Sequence, residues 1–159
     1  MIQVTPEQKS DHWEVEALYD LCFAPGREAL SSYRLREGIP FIPEISLVLR
    51  DDAGILGAAI RYWPILIGAA PALLLGPVAV HPTRQGEGLG AFLIRDSLQR
   101  AGQLGWEHVL LVGDHPYYKR FGFEKMPKVI FPPHTNPDRV LGQSLNETSF
   151  PTGDVTKYK

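Results

Sequence analysis

LLLGPVAVHPTRQGEGLGAFLIRDSLQRAGQLGWEHVLLVGDHPYYKRFGF, residues 73–123, carries the strongest structural signals of the chain in unbroken succession. Residues 73–80 are apolar almost throughout, as a strand buried on both faces would be. Gly76 and Pro77 interrupt that run. Proline donates no ladder hydrogen bond, so a bulge or an unpaired edge is expected there. Residues 88–103 place apolar side chains at helical spacing: Leu89, Phe92 and Leu93 open one face, and Leu98, Ala101 and Leu104 continue it. Gly105 stands where a helix C-terminus would use it. Residues 109–112 form the next buried strand. Strand, helix and strand of this length make a βαβ unit, with parallel strands and a right-handed crossover. Residues 115–120 fit a short helix before Phe121, Gly122 and Phe123 turn into another strand.

Outward from this unit the signals are local. Residues 2–5 alternate weakly, as a short strand. Ser10 or Asp11 can cap a helix reaching about Phe23, with Trp13, Ala17, Leu18, Leu21 and Cys22 on one side. Ala24, Pro25 and Gly26 break it, and residues 27–37 suit a second, shorter helix ended by Gly38. Residues 45–50 and 55–63 read as an antiparallel hairpin across the turn Asp51-Asp52-Ala53-Gly54. Residues 64–71 read as a connection leading to Leu73. Beyond Met126 the chain is rich in Pro, Asn and Asp, with a helix expected near 138–145 and a closing strand near 155–158. The sum is an α/β fold, one domain over residues 1–159.

Composition narrows the function classes. At 159 residues the chain is long enough to bury a proper core. Its formal charge of −2 gives no global attraction to nucleic acid or anionic membrane. Its single cysteine, Cys22, excludes an intrachain disulfide and reads as a small apolar residue within a helix. The N-terminal stretch lacks a basic segment followed by an apolar one, and no apolar run is long enough to span a bilayer. A cytoplasmic location is expected, without nucleic-acid or membrane partners; a homodimer stays open.

The turn Arg84-Gln85-Gly86-Glu87-Gly88-Leu89-Gly90 carries the chemistry. Glycines let a backbone approach a ligand closely, and the helix that follows presents open N–H groups and a positive dipole end. Together these suit an anion, most naturally a phosphate or pyrophosphate; a plain tight turn would use glycine too. No Lys follows the glycines, which excludes an ordinary P-loop. A dinucleotide fingerprint is closer, since Gly86, Gly88 and Ala91 match its spacing and Asp114 ends the next strand. Residues 81–85 intervene between strand and first glycine, however, and there is no second βαβ half. No His, Cys and Asp spacing suggests a metal site. Asp114 and His115 lie where a general base would be useful, although Asp114 also suits a helix cap. Arg84, Lys119 and Arg120 suit either phosphates or a solvated surface.

Gln85-Gly86-Glu87-Gly88-Leu89-Gly90 resembles motif A of the GNAT (GCN5-related) N-acetyltransferases, written Q/R-x-x-G-x-G/A. Val78-Ala79-Val80-His81-Pro82 resembles the strand that precedes it, and residues 117–123 resemble motif B, Y-x-x-x-G-F. Order and spacing agree, and the likeness extends over residues 1 to about 126, towards a bacterial branch of the superfamily. The resemblance implies the GNAT fold: a mixed, mostly antiparallel twisted sheet with a parallel βαβ unit and helices on both faces. It implies acetyl-CoA (coenzyme A) as cofactor, with its pyrophosphate on the backbone of Gln85, Gly86, Glu87, Gly88, Leu89 and Gly90. It implies that Val78, Ala79 and Val80 pair with the pantetheine arm where the two parallel strands splay, near Gly76. It makes Tyr118, four residues before Gly122, the general acid, and leaves Tyr117 to packing. The implied activity is transfer of an acetyl group to a primary amine of a small molecule or peptide. The alternative is an acyl-CoA-binding or sensing domain without catalysis, and a more distant one is a nucleotide-binding oxidoreductase fragment. The aromatic residues Trp13, Tyr19, Phe23, Tyr33, Phe41, Tyr62 and Trp63 supply either an acceptor pocket or core.

Overall fold

The structure is a computed structural model, which describes residues 2–23, 31–133 and 135–158. Its strands are β1 (Gln3–Pro6), β2 (Leu47–Arg50), β3 (Leu56–Ile67), β4 (Ala70–Val80), β5 (His108–Val112), β6 (Glu124–Lys125), β7 (Val129–Ile130), β8 (Val140–Ser144) and β9 (Gly153–Lys157). Its helices are α1 (His12–Cys22), α2 (Ser31–Arg34), α3 (Leu89–Gln103) and α4 (His115–Tyr118). The main sheet runs β1-β2-β3-β4-β5-β8-β6, with β9 on the far half of β3 and β7 beside β9. Every pair in it is antiparallel except β4–β5, and β7–β9 is a second parallel pair. This is the mixed, mostly antiparallel architecture expected, with α3 as the crossover.

Helices cover both faces. Leu89, Leu93, Ile94, Leu98 and Ala101 of α3 pack on Leu47, Ile60, Tyr62, Leu73 and Leu111. Tyr62 reaches up from β3 to share a 2.7 Å hydrogen bond with Ser97 of α3, so its buried hydroxyl is satisfied. On the opposite face Val15, Leu18 and Tyr19 of α1 pack on Val48, Leu56, Ala59 and Ala79. That corrects the expected stripe: Trp13 is 83% and Leu21 57% exposed, and Val15 and Tyr19 take the buried side instead. The buried face recurs at i, i+3 and i+4 from Val15, and of the expected stripe it shares Leu18.

Three further expectations change. Residues 64–71 are not a loose connection; β3 continues through Pro64 to Ile67, turns at Gly68-Ala69 and returns as β4, with Pro64 opposite Leu73. The helix expected near 138–145 is limited to a 3-10 turn, Pro137–Arg139, because β8 runs from there along β5, from Val112–Val140 to His108–Ser144. A strand edge needing a partner outweighed the local pattern. The second helix is reduced to α2 and the turn after it; residues 24–30, including the expected break, lie outside the described residues.

The Gly76-Pro77 interruption is a bulge. Ile60 faces Val78 and Tyr62 faces Leu75, so two residues of β4 oppose Arg61. Parallel pairing to β5 is confined to Leu73–Val109 and Leu74–Leu110. From Leu75 onward β4 therefore leaves β5, and a gap opens between the two strands at the bulge.

Candidate active site

β4 leads into the glycine turn through a short 3-10 turn, Pro82–Arg84. His81 holds that turn: its Nδ1 accepts from the Thr83 N–H at 3.2 Å and pairs with the Thr83 hydroxyl at 2.8 Å. Gly86 (φ +88°) and Gly88 (φ +79°) are left-handed, a conformation that favours glycine. Gly88 is the N-cap of α3 and no side chain caps that helix. The first amides of α3 accordingly face outward, with the dipole behind them. Arg84 is occupied elsewhere: its guanidinium clasps Glu87 at 2.9–3.1 Å and reaches Asp51 at 3.5 Å.

A groove of about 470 Å³ runs from this turn along β4 to α4. Val78, Val80, Gln85, Gly86, Gly88, Leu89 and Gly90 line it, as does Tyr118 at its inner end. Ala79 points away, into the α1 core, and the Glu87 side chain turns to Arg84, so neither side chain lines the groove. Of the three cations weighed, Arg84 and Arg120 line the groove, Arg84 turned to Glu87 and Arg120 over Tyr117 at 5.2 Å. Tyr117 lines it too, its hydroxyl 3.8 Å from where a Cβ on Gly90 would stand.

Tyr118 is set by packing. Its ring stands edge-on to Tyr117 and Phe123, at 5.0 and 6.0 Å between centroids. It lies flat against Gly113, where a Cβ would come within 2.5 Å of Cε2. Burial pushes its pKa up to about 12, and nearby Tyr117 adds to the effect. Such a phenol keeps its proton at neutral pH, which suits a donor and not a base. Gly113 escaped the sequence reading, because a lone glycine after a strand gives no hint of the ring it must admit.

The two base candidates are structural. Asp114 caps α4 by accepting from the Tyr117 N–H at 3.3 Å, and His115 Nε2 sits 2.9 Å from Glu124 Oε1. Cys22 is half-buried, and its thiol donates to the Val80 carbonyl at 3.3 Å.

On the α1 face of the sheet, a second pocket of about 510 Å³ is lined by Glu16, Tyr33, Arg36, Phe41, Arg61 and Trp63 among others. It abuts the bulge: Trp63 Nε1 donates to the Gly76 carbonyl at 2.7 Å, and the Tyr19 hydroxyl to that of Pro77 at 3.1 Å. Tyr33, Phe41 and Trp63 thus take the pocket role among the seven aromatic residues, while Tyr19 and Tyr62 are core and Trp13 is on the surface. Sequence reasoning missed Glu16, Arg36 and Arg61, which come together only through tertiary packing. The two cavities lie on opposite faces of the sheet, one lined by Val78 and Val80 and the other by Arg61 and Trp63, and the bulge where β4 parts from β5 is bonded by Trp63 and Tyr19.

Residues 43–125 match the family model of the acetyltransferase (GNAT) domain, a span from before β2 to the end of β6. The chain belongs to the GNAT acetyltransferase family. It is 30% identical over 112 residues to the uncharacterized N-acetyltransferase YhbS of Escherichia coli, 69% of this chain. It is also 30% identical over 119 residues to YjhQ of the same organism, 73% of this chain. The chain spans 66% of the length of each of these relatives. The crystal structure of YhbS in complex with CoA superposes with a TM-score of 0.84 at 25% identity, over 99% of this chain and 89% of that one. A GNAT acetyltransferase from Brucella melitensis in complex with acetyl-CoA gives 0.76 at 28% identity, over 99% and 96%. The GNAT-matched span contains the glycine turn, the splayed strand and Tyr118.

Proposed function

We propose that residues 1–159 act as one acetyl-CoA-dependent N-acetyltransferase domain that acetylates a primary amine. The observation that carries this reading is a single groove with an uncapped helix start at one end and a buried, proton-bearing phenol at the other. The fit to coenzyme A is chemical: open amides and positive-φ glycines suit a pyrophosphate. The unpaired edge of β4 suits an extended, amide-bearing arm that adds like a strand. Gln85, Gly86, Glu87, Gly88, Leu89 and Gly90 would hold the pyrophosphate through their backbones, and Val78, Ala79 and Val80 the arm. Bound there, the cofactor supplies an acetyl group activated as a thioester.

The chain's own residues would then do four things. The second pocket admits the amine on the α1 face, so that its nitrogen meets the thioester carbon at the gap. Backbone N–H groups at the bulge near Val78 donate hydrogen bonds to the carbonyl oxygen as negative charge builds on it. A C–N bond forms as the C–S bond breaks, the amine nitrogen loses one proton to water, and Tyr118 Oη gives one to the departing sulfur. Tyr118 regains its proton from solvent, and the core around it excludes competing water.

Thiol release in a panel of primary amines, together with calorimetry of acetyl-CoA, tests this. Binding and amine-dependent thiol release are expected, with Tyr118→Phe slowing release while affinity for acetyl-CoA stays within about twofold. Binding without transfer to any amine would leave the acyl-CoA-binding alternative; absence of binding would remove both.

A further inference from the structure

The α1-face pocket holds two guanidinium groups in opposite states. Arg61 is fully compensated: Nε and one terminal nitrogen donate to Glu7 at 2.9 and 2.8 Å, and the other donates to Glu16 at 2.6 Å. Arg36 is not. Among the described residues it forms no ion pair with a carboxylate, and its Nε is buried without a hydrogen-bond partner. Its guanidinium lies 3.9 Å from the Tyr33 ring centroid and 5.0 Å from that of Trp63. Burial pulls its pKa down, and the Arg61 charge pulls the same way against the hold of Tyr33. Stripping water from a cation without supplying an anion costs stability, and sites that accept this cost commonly serve a ligand.

Position decides what that ligand is. A terminal nitrogen of Arg36 stands 3.9 Å from where a Cβ on Gly76 would lie, so the cation sits against the bulge. The same pocket carries the carboxylates of Glu16 and Glu37 and the apolar walls of Phe41 and Trp63. It therefore presents a planar cation for an anion, acidic groups for a cation, and an aromatic surface for a side chain.

Resting on the acetyltransferase reading, we propose that the acceptor is a free α-amino acid with an apolar side chain, its carboxylate held by Arg36 and its amine directed to the β4–β5 gap. The guanidinium fork matches a carboxylate in two parallel hydrogen bonds, and the orphaned Nε is one of the donors it offers. The carboxylate replaces the missing counter-charge. The Glu37 carboxylate favours the ammonium form on arrival, which sheds a proton to water before the nitrogen attacks. Tyr33, Phe41 and Trp63 receive the side chain.

The test compares L-leucine with L-leucinamide and L-phenylalanine with L-phenylalaninamide as acceptors, by thiol release from acetyl-CoA. The free acids should exceed the amides by about 10- to 100-fold in kcat/KM, mainly through KM, as expected for hydrogen bonds to a charged group. Arg36→Gln should bring the acid-to-amide ratio of kcat/KM down to about one with acetyl-CoA affinity retained, and Arg36→Lys should restore part of the preference. Amides used as well as the acids, or both lowered equally by Arg36→Gln, would overturn the proposal. A thermal-shift arm separates it from the activity reading: N-acetyl-L-leucine should stabilise the wild-type protein more than N-acetyl-L-leucinamide, and Arg36→Gln should abolish the difference. Equal stabilisation by acid and amide would overturn the proposal even if transfer were observed.

Discussion

Gly113→Ala should slow acetyl transfer through Tyr118 while leaving the glycine-turn end of the cofactor groove in place. A Cβ there would stand 2.5 Å from Tyr118 Cε2 and 2.9 Å from Leu111 Cδ1. Carbon atoms pack at about 3.5 Å, so the ring must retreat by about 1 Å. The Leu111 methyl can rotate aside, whereas the tyrosine is wedged between Tyr117 and Phe123. Gly113 is not among the left-handed glycines, so the effect is steric and not one of backbone strain. Overpacking of this kind costs about 1–3 kcal/mol of stability. A catalytic group moved by about 1 Å costs on the order of 100-fold in rate. The assay is thiol release at saturating acetyl-CoA and amine, beside calorimetry of acetyl-CoA. The affinity should hold, turnover should fall on the order of 100-fold, and the same substitution in a Tyr118→Phe background should lower the rate little further. Turnover within about twofold of wild type, or a full additional loss in that background, would refute the packing argument.

Three other outcomes follow from the same geometry. Gly88→Ala meets no atom within 4 Å but must hold φ near +79°, so it should lose about 1–2 kcal/mol of stability in chemical denaturation and weaken acetyl-CoA binding, with kcat at saturation retained. Glu7→Gln breaks a pair in which the side chains are 1% and 6% exposed; with Glu16 still holding Arg61, the loss in denaturation should sit near about 3 kcal/mol, the low end for a buried pair. Tyr118 is raised from its ordinary value of 10.0 to about 12, so its proton persists through pH 10, while the stability from its neutral burial is full below 10 and falls as pH rises from there through 12. The single-turnover rate should therefore show no alkaline decline assignable to Tyr118 between pH 7 and 10, and a tyrosine-dependent fall centred below 10 would contradict the burial.

Much of the catalytic half was legible because its signals are local. The apolar strands, the helical period of α3 and the positive-φ glycines each follow from neighbours a few residues away. The bulge at Gly76-Pro77 followed from proline's missing donor, and the end of β4–β5 pairing at Leu74 follows from that bulge. The acceptor side was illegible because it is assembled at long range. Glu7, Glu16, Arg36 and Arg61 come from four separate elements and give no periodic signal. Residues 138–145 misled for a related reason: nothing local says that β5 needs an antiparallel partner there. Gly113 was silent because its role is to be absent from the space that Tyr118 fills.

We propose that one groove seats coenzyme A between the glycine turn and Tyr118. A crystal structure of this protein with CoA tests it most directly. The pyrophosphate is expected on the amides of residues 86–90, the arm along Val78 and Val80, and the thiol within hydrogen-bonding reach of Tyr118 Oη. A pyrophosphate bound away from that turn, or a thiol turned away from Tyr118, would contradict it.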